Sequence, residues 1–253
     1  MNKLTLILAT ACILMISFSG YAQQPLYGDV NGDGEVNISD VNAVIDVILG
    51  GHSHHYDYVD LGLPSGTMWA THNVGASSPE EFGDYFAWGE TEPKEQYDCE
   101  NYKWIHGSYY LSLTKYCTNS VYGYNDFVDN KTELDLEDDA AYVNWGPAWR
   151  MPSYDQIDEL ITTCTWTWTT RNGVNGELVT GPNGNTVFFP ASGLRNASSS
   201  SVMYSGVKGR FWSRTVNSDA PNIAYIIDFN ADDMWTNGEV RDYGLTVRAV
   251  RNK

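Results

Sequence analysis

Twelve residues near the start of the chain, DVNGDGEVNISD from Asp29 to Asp40, carry oxygen-bearing side chains at a regular spacing. A calcium ion takes six to eight oxygen ligands, and alternate residues of a tight coil can direct their oxygens to one centre. Gly34 suits the positive φ of the sharp turn that this coil needs. The run therefore predicts a calcium loop, with a plain Asp/Asn/Gly-rich turn as the alternative. The expected ligands are the side chains of Asp29, Asn31, Asp33, Asn37 and Asp40, together with the backbone carbonyl of Glu35.

An amphipathic helix is expected directly after this loop, because apolar residues recur there at helical spacing before Gly50 and Gly51 end the pattern. The apolar stripe consists of Val41, Val44, Ile45, Ile48 and Leu49. The loop and helix, residues 26–51, resemble one type I dockerin repeat, an EF-hand-like unit. Members of that family carry two repeats and bind cohesin modules in extracellular assemblies. The resemblance implies that Ca²⁺ is bound and that Ile38 and Ser39 face a cohesin-like partner.

The segment before this repeat has the pattern of a secretory signal peptide. Lys3 precedes an apolar run from Leu4 to Phe18, and Gly20 and Ala22 are the small residues typical of a cleavage site. The run is too short for a comfortable membrane span. We therefore expect residues 1–22 to be removed and the protein to be secreted or held at the cell surface, with a periplasmic location as the alternative.

The formal net charge of −17 limits the classes of partner. Nucleic acids and anionic membrane surfaces repel such a chain, whereas calcium and other cations suit it. Three histidines, His52, His54 and His55, fall in a short linker, residues 52–57, where they either sit in solvent or bind a transition metal.

Three cysteines remain after signal cleavage: Cys99, Cys117 and Cys164. An odd number argues against a disulfide scaffold, although pairing of Cys99 with Cys117 across a tyrosine-rich loop is left open.

From residue 58 onward the sequence predicts an α+β domain of short antiparallel strands, one or two helices and long loops. Ser153 and Gln156 have the spacing of a capping box and predict a helix that buries Ile157, Leu160 and Ile161. Residues 93–135 hold many tyrosines without a clear period, which indicates a long surface excursion. Strands are expected at 59–63, 67–73, 165–170, 177–180, 186–189, 210–215, 224–230 and 245–251.

Five separated motifs of this domain match one family in order. They are DLGLPSGTMWATHNVGA, FGDYFAWGE, DDAAYVNWGPAWRMPSYDQIDEL, FFPASGLR and GLTVRAVR. Residues 58–252 are thereby similar to the Fibrobacter-type major paralogous (FISUMP) domain, which is common in secreted proteins of gut Bacteroidetes. The resemblance implies a C-type-lectin-like fold, shared with formylglycine-generating enzymes.

The resemblance does not extend to the chemistry of those enzymes, which depends on a cysteine pair near the carboxyl end, where this chain has none. The Glu-Pro-Asn and Trp-Asn-Asp motifs of calcium-dependent sugar sites are also missing. A sugar can still stack on exposed aromatic rings. The candidates are Trp104, Tyr109, Tyr110 and Trp235, whereas Trp69, Trp88, Trp145, Trp149, Trp166, Trp168 and Trp212 are expected in the core.

Two acidic stretches, residues 135–139 and 228–233, admit several interpretations. Each can supply a cation site or a glycosidase-like pair of carboxylates, but acids in loops are also commonly just solvated. Residues 136–139 can alternatively cap a short helix. Residues 228–239 imitate the spacing of the calcium loop without its glycine, so a strand and a turn are favoured there.

These observations favour a secreted, non-enzymatic calcium-binding protein in which a dockerin-type repeat precedes a module that binds an extracellular glycan or protein. One alternative is a component of a polysaccharide-degrading complex with hydrolase activity. The other is a structural, adhesin-like surface protein.

Overall fold

Short strands joined by long loops dominate the computed structural model, which describes Val36, residues 56–197 and residues 201–252. The chain divides into two compact units, Met1–His55 and Tyr56–Lys253, and all described residues except Val36 belong to the second. The predicted signal peptide, calcium loop, apolar stripe and three histidines of the linker lie outside the described residues.

The described residues form two α-helices and nine strands. The helices are α1 (Ala140–Trp145) and α2 (Tyr154–Thr163). The strands are β1 (Tyr58–Asp60), β2 (Met68–Ala70), β3 (Thr165–Arg171), β4 (Val174–Thr180), β5 (Thr186–Pro190), β6 (Gly209–Val216), β7 (Ile223–Phe229), β8 (Met234–Val240) and β9 (Val250–Arg251).

Within the described ranges the strands make three antiparallel sheets of three strands each, in the orders β1-β2-β9, β3-β4-β5 and β6-β7-β8. Short single turns of 3₁₀ helix occur at Ser120–Tyr122, Tyr124–Asp126 and Leu136–Asp138. The described residues thus form small antiparallel sheets with few helices, and the predicted α+β class is confirmed.

Strand β7 lies at the centre of the core because both of its faces are buried. Alternate side chains of a strand point to opposite faces. Ala224 and Ile226 pack with Trp88 and Trp212 on one side. Ile227 and Phe229 pack with Trp69, Phe189 and Phe211 on the other. The apolar composition of IAYIIDF matches this double burial.

Helix α2 begins where the capping box predicts. The backbone N–H of Gln156 donates to Oγ of Ser153 at 3.2 Å, and the backbone N–H of Ser153 donates to Oε1 of Gln156 at 2.9 Å. Ile157 and Leu160 are fully buried, and Ile161 packs half-buried against the same cluster. The predicted core face of this helix is therefore confirmed.

Several strand predictions are wrong in extent. The strands expected at 59–63 and 67–73 are shortened to β1 and β2, and the strand expected at 177–180 begins earlier, at Val174. The strand expected at 245–251 is reduced to β9, because Leu245 pairs with Phe86 and Thr246 pairs with Phe211, so that no continuous ladder forms. Strand β8 was not expected, because the polar residues of MWTNGEV hide its alternation. It forms because it pairs along its whole length with the apolar strand β7.

The tryptophan prediction holds. Trp69, Trp88, Trp149 and Trp212 are buried, and Trp145, Trp166 and Trp168 pack half-buried against the core.

The tyrosine-rich excursion is held to the core by buried tyrosines. The hydroxyl of Tyr102 donates to the carbonyl of Trp88 at 2.7 Å and accepts from Nε of Arg241 at 2.9 Å. The Arg241 guanidinium is buried and lies 4.7 Å from the ring centroid of Trp88.

Candidate functional site

The predicted metal ligands and partner contacts of the dockerin-like repeat lie outside the described residues. They are Asp29, Asn31, Asp33, Glu35, Asn37 and Asp40 for the metal, and Ile38 and Ser39 for the partner. Their donor chemistry fits Ca²⁺, because carboxylate, amide and backbone carbonyl oxygens are the ligands that this hard cation prefers.

Among the described residues, one acidic cluster has the spacing of a metal site. Carboxylate oxygens of Asp135, Glu137 and Asp138 all lie within 4.8 Å of one another. The ammonium of Lys115 reaches the same place, with Nζ at 2.7 Å from Asp135, 2.6 Å from Asp138 and 3.8 Å from Glu137. Lys103 also pairs with Asp138 at 3.0 Å and Lys131 with Asp135 at 2.6 Å, so three side-chain cations already contact this cluster. Sequence reasoning missed Lys115 because it lies 20 residues away from Asp135 along the chain.

The carboxylate of Asp139 serves as a helix cap. Its Oδ1 accepts from the backbone N–H groups of Ala141 and Tyr142 at 3.0 Å, and its Oδ2 accepts from Nε of Arg150 at 2.8 Å. The carboxylate is fully buried, and α1 starts at the next residue. The capping interpretation of this acidic stretch is thus confirmed for Asp139.

The second acidic stretch forms the expected strand and turn. Asp228 lies on β7, and Asn230 caps the turn by accepting from the backbone N–H groups of Asp232 at 2.8 Å and Asp233 at 3.2 Å. The side-chain oxygen of Asn230 thus accepts hydrogen bonds from the backbone of the turn, which is the usual role of Asn in such a turn.

An arginine joins the two carboxylates that flank this turn. Arg210 on β6 lies 3.3 Å from Asp228 and donates to Glu239 at 2.6 Å. Burial raises the pKa of Glu239 even though Arg210 is adjacent. Arg210 therefore pairs with both acids. Asp228 and Glu239 lie on neighbouring strands, and their side chains are on the same face of the sheet.

The four candidate sugar-stacking residues divide into two groups. Tyr109 and Tyr110 are 55 % and 54 % exposed, with ring centroids 5.1 Å apart. Trp104 packs half-buried against the core, with Nε1 donating to the Gly89 carbonyl at 3.0 Å. Trp235 is half-buried within β8 and is not one of the exposed rings.

The loop that carries the two exposed tyrosines is closed by Ser112. The backbone N–H of His106 donates to the Ser112 carbonyl at 2.8 Å, and the Ser112 hydroxyl donates back to the His106 carbonyl at 2.7 Å and also contacts the Tyr109 carbonyl. Leu113, next in the chain, is buried. Rigid aromatic rings on a fixed loop bind a flat apolar surface with little loss of conformational entropy.

Next to this loop, His106 and Tyr124 stack with ring centroids 3.7 Å apart. Both residues are exposed, and the His106 carbonyl accepts from the Ser112 hydroxyl that closes the loop. We call these four residues the aromatic surface.

The three cysteines of the described residues are free thiols. The alternative pairing of Cys99 with Cys117 is wrong, since Sγ of Cys99 donates to the Ser108 carbonyl at 3.3 Å and Sγ of Cys117 donates to the Asn119 carbonyl at 3.2 Å. Burial raises the pKa of each thiol, that of Cys164 to about 11. The reactive thiolate form is therefore disfavoured at neutral pH.

The chain was compared with protein-family models, curated proteins and solved structures. None of them matches it. Within the residues that the structure describes, no helix is both long enough and apolar enough to cross a lipid bilayer.

Proposed function

We propose that this chain is an exported, non-enzymatic calcium-binding protein. A single dockerin-type repeat, residues 26–51, precedes a C-type-lectin-like module, residues 58–252, that binds an extracellular glycan. The oxygen donors of residues 29–40 support the calcium part of the proposal. The small antiparallel sheets and long loops of the described residues are compatible with the proposed fold.

The observation that carries the binding function is the exposure of Tyr109 and Tyr110 on a loop that Ser112 holds closed. A pyranose ring presents a patch of C–H groups that packs against an aromatic face, while its hydroxyls remain in water. The stacked pair His106 and Tyr124 adds two more exposed rings. Neutral polysaccharides suit it better than acidic ones, because the net charge of the chain is −17.

In this proposal the calcium-bound repeat orders the loop and its helix so that Ile38 and Ser39 can face a cohesin-like module. The ion supplies charge neutralisation among the loop carboxylates and has no chemical step to perform. The repeat would then anchor the chain in an assembly, and the larger module would hold that assembly on its glycan.

Affinity electrophoresis of the exported chain in gels containing xylan, mannan or β-glucan tests the binding function. We expect at least one polysaccharide to retard the wild type and the double variant Tyr109→Ala/Tyr110→Ala to migrate unretarded. Tyr204→Ala removes an equally exposed tyrosine, 48 % exposed, from another loop and serves as the matched control. Equal retardation of the wild type and the double variant would contradict the proposed surface.

A further inference from the structure

A cavity of ≈ 460 Å³ in the larger unit is lined by three arginines from separate segments of the chain, namely Arg150, Arg214 and Arg251. Arg150 precedes α2, Arg214 lies on β6 and Arg251 lies on β9. Only 15 of the 253 residues are lysine or arginine. Three arginines around one cavity therefore make a basic site in an otherwise acidic chain.

Backbone hydrogen bonds fix the three segments against one another. Arg150 and Val250 exchange both of their backbone hydrogen bonds, at 3.0 Å and 2.8 Å, which holds the segments that carry Arg150 and Arg251 against each other. The backbone N–H of Arg214 donates to the Pro152 carbonyl at 2.7 Å. The walls of the cavity are therefore held by the fold before any ligand enters.

Two of the arginines use part of their hydrogen-bonding capacity within the protein. Arg150 donates through Nε to Asp139 at 2.8 Å, and Arg214 donates through Nε to Glu133 at 3.0 Å. Nη1 of Arg214 donates to Oε1 of Gln156, which also lines the cavity. Nη1 of Arg150 and Nη2 of Arg214 have no protein partner among the described residues. Each of these arginines thus keeps one donor nitrogen for a ligand.

Arg251 keeps its whole guanidinium available. Among the described residues, no acid pairs with it, and it lies 4.7 Å from the ring centroid of Tyr58 and 5.6 Å from that of Trp149. Stacking on aromatic rings fixes the plane of a guanidinium without consuming its in-plane N–H donors. The charges of Arg150 and Arg214 are each matched by one acid, so Arg251 leaves the lining with one uncompensated positive charge.

We propose that this cavity binds the carboxylate of a small polar ligand, of which a sugar acid is the expected class. A planar guanidinium matches a carboxylate by two parallel hydrogen bonds, which Arg251 can supply, and Arg150 and Arg214 line the same cavity. The volume falls in the range of small-molecule sites. The amide side chain of Asn252 in the lining can bond hydroxyl groups of the same ligand. This site shares no residue with the aromatic surface, and neither proposal depends on the other.

Isothermal titration of the exported chain with D-galacturonate tests the site, with D-galactose as the matched neutral sugar. We expect saturable binding of galacturonate, a weaker affinity at higher ionic strength, and no binding of galactose at the same concentrations. Sodium sulfate is the third ligand, and it is expected to bind more weakly than galacturonate. Absence of galacturonate binding, equal binding of galactose, or tighter binding of sulfate would overturn the carboxylate assignment.

Two variants locate the site. Ala148→Glu adds a carboxylate at an exposed lining position without removing a cavity side chain, and Ala148→Gln is its uncharged control. We expect Ala148→Glu to weaken galacturonate binding by about tenfold or more and Ala148→Gln to leave it near the wild-type value. Arg251→Gln should have an effect of about the same size. Arg171→Gln removes an exposed arginine outside the cavity and should have no effect. Binding that is unchanged in both Ala148→Glu and Arg251→Gln would contradict the proposal.

Discussion

The hydroxyl of Tyr116 donates a 2.6 Å hydrogen bond to Oδ2 of Asp138, a carboxylate that is 1 % exposed. Lys115 donates to the same oxygen at 2.6 Å, and Lys103 donates to the other oxygen at 3.0 Å. The buried carboxylate of Asp138 therefore links the tyrosine-rich segment, residues 93–135, to the residues before α1. Its side-chain partners all belong to that segment. A buried charge is tolerated when it is paired and hydrogen-bonded in this way.

Asp138→Asn is expected to lower the free energy of unfolding by about 1–3 kcal/mol, because it removes the charge from a buried carboxylate that accepts hydrogen bonds from Lys103, Lys115 and Tyr116. Urea denaturation at pH 7 measures this loss. Asp219→Asn changes an exposed aspartate and should leave the stability within about 0.5 kcal/mol of the wild type. A stability of Asp138→Asn equal to that of this control would show that the hydrogen bonds to Asp138 contribute nothing to the free energy of unfolding.

The same carboxylate makes stability depend on acid pH. Burial opposes ionisation of Asp138, but hydrogen bonds from Lys115, Tyr116 and Lys103 outweigh it and hold its pKa below the usual range. Because the folded pKa is lower than the unfolded one, this contribution is present above the unfolded pKa, near 3.9 for a free aspartate. It is lost as the pH falls through the folded value. As the pH falls from the unfolded pKa to the folded one, the stabilities of the wild type and Asp138→Asn are therefore expected to converge.

Glu177 predicts the opposite dependence. This glutamate is 3 % exposed on β4, where its register partners are Trp168 and Phe189, and burial raises its pKa to about 7. A raised carboxyl pKa means that stability is highest below the unfolded value and falls as the pH rises toward the folded value. We expect Glu177→Gln to be more stable than the wild type by about 1–3 kcal/mol at pH 8 and to differ little at pH 4.

Chemical denaturation of Glu177→Gln and the wild type between pH 4 and pH 8 measures this effect. Glu92→Gln, at an exposed position, is the control and should keep the wild-type profile. Parallel profiles for Glu177→Gln and the wild type would mean that Glu177 ionises as easily in the folded chain as in the unfolded one.

Ser153→Ala is expected to destabilise the larger unit by about 1 kcal/mol, since it removes the oxygen that accepts from the backbone N–H of Gln156 at the start of α2. Thermal unfolding followed by circular dichroism measures the shift. Ser153→Asp keeps an acceptor at the cap and should recover most of the loss. If Ser153→Ala unfolds at the wild-type temperature, the cap has no energetic role.

Local patterns predicted the elements that depend on local chemistry. The capping box of Ser153 and Gln156 gave the start of α2, because both of its hydrogen bonds join residues three apart. The apolar run around Ile226 predicted β7, because a strand that is buried on both faces is composed mainly of apolar residues.

Elements that depend on distant partners were not predictable in this way. Strand β8 exists through its register with β7, and its own polar residues obscure it. Lys115 and Arg210 pair with acids far from them along the chain, as Arg210 does with Asp228 and Glu239. The arginine cavity left no sequence signal, because it joins three segments that only the fold brings together.

Calcium titration of the exported chain, from Gln23 onward, tests the central claim most directly. The account predicts one calcium ion bound per chain by equilibrium dialysis, lost in the double variant Asp29→Ala/Asp33→Ala and retained in Glu137→Gln, which alters the acidic cluster that Lys115 contacts. Calcium binding that persists in the double variant, or that is absent from the wild type, would contradict the account.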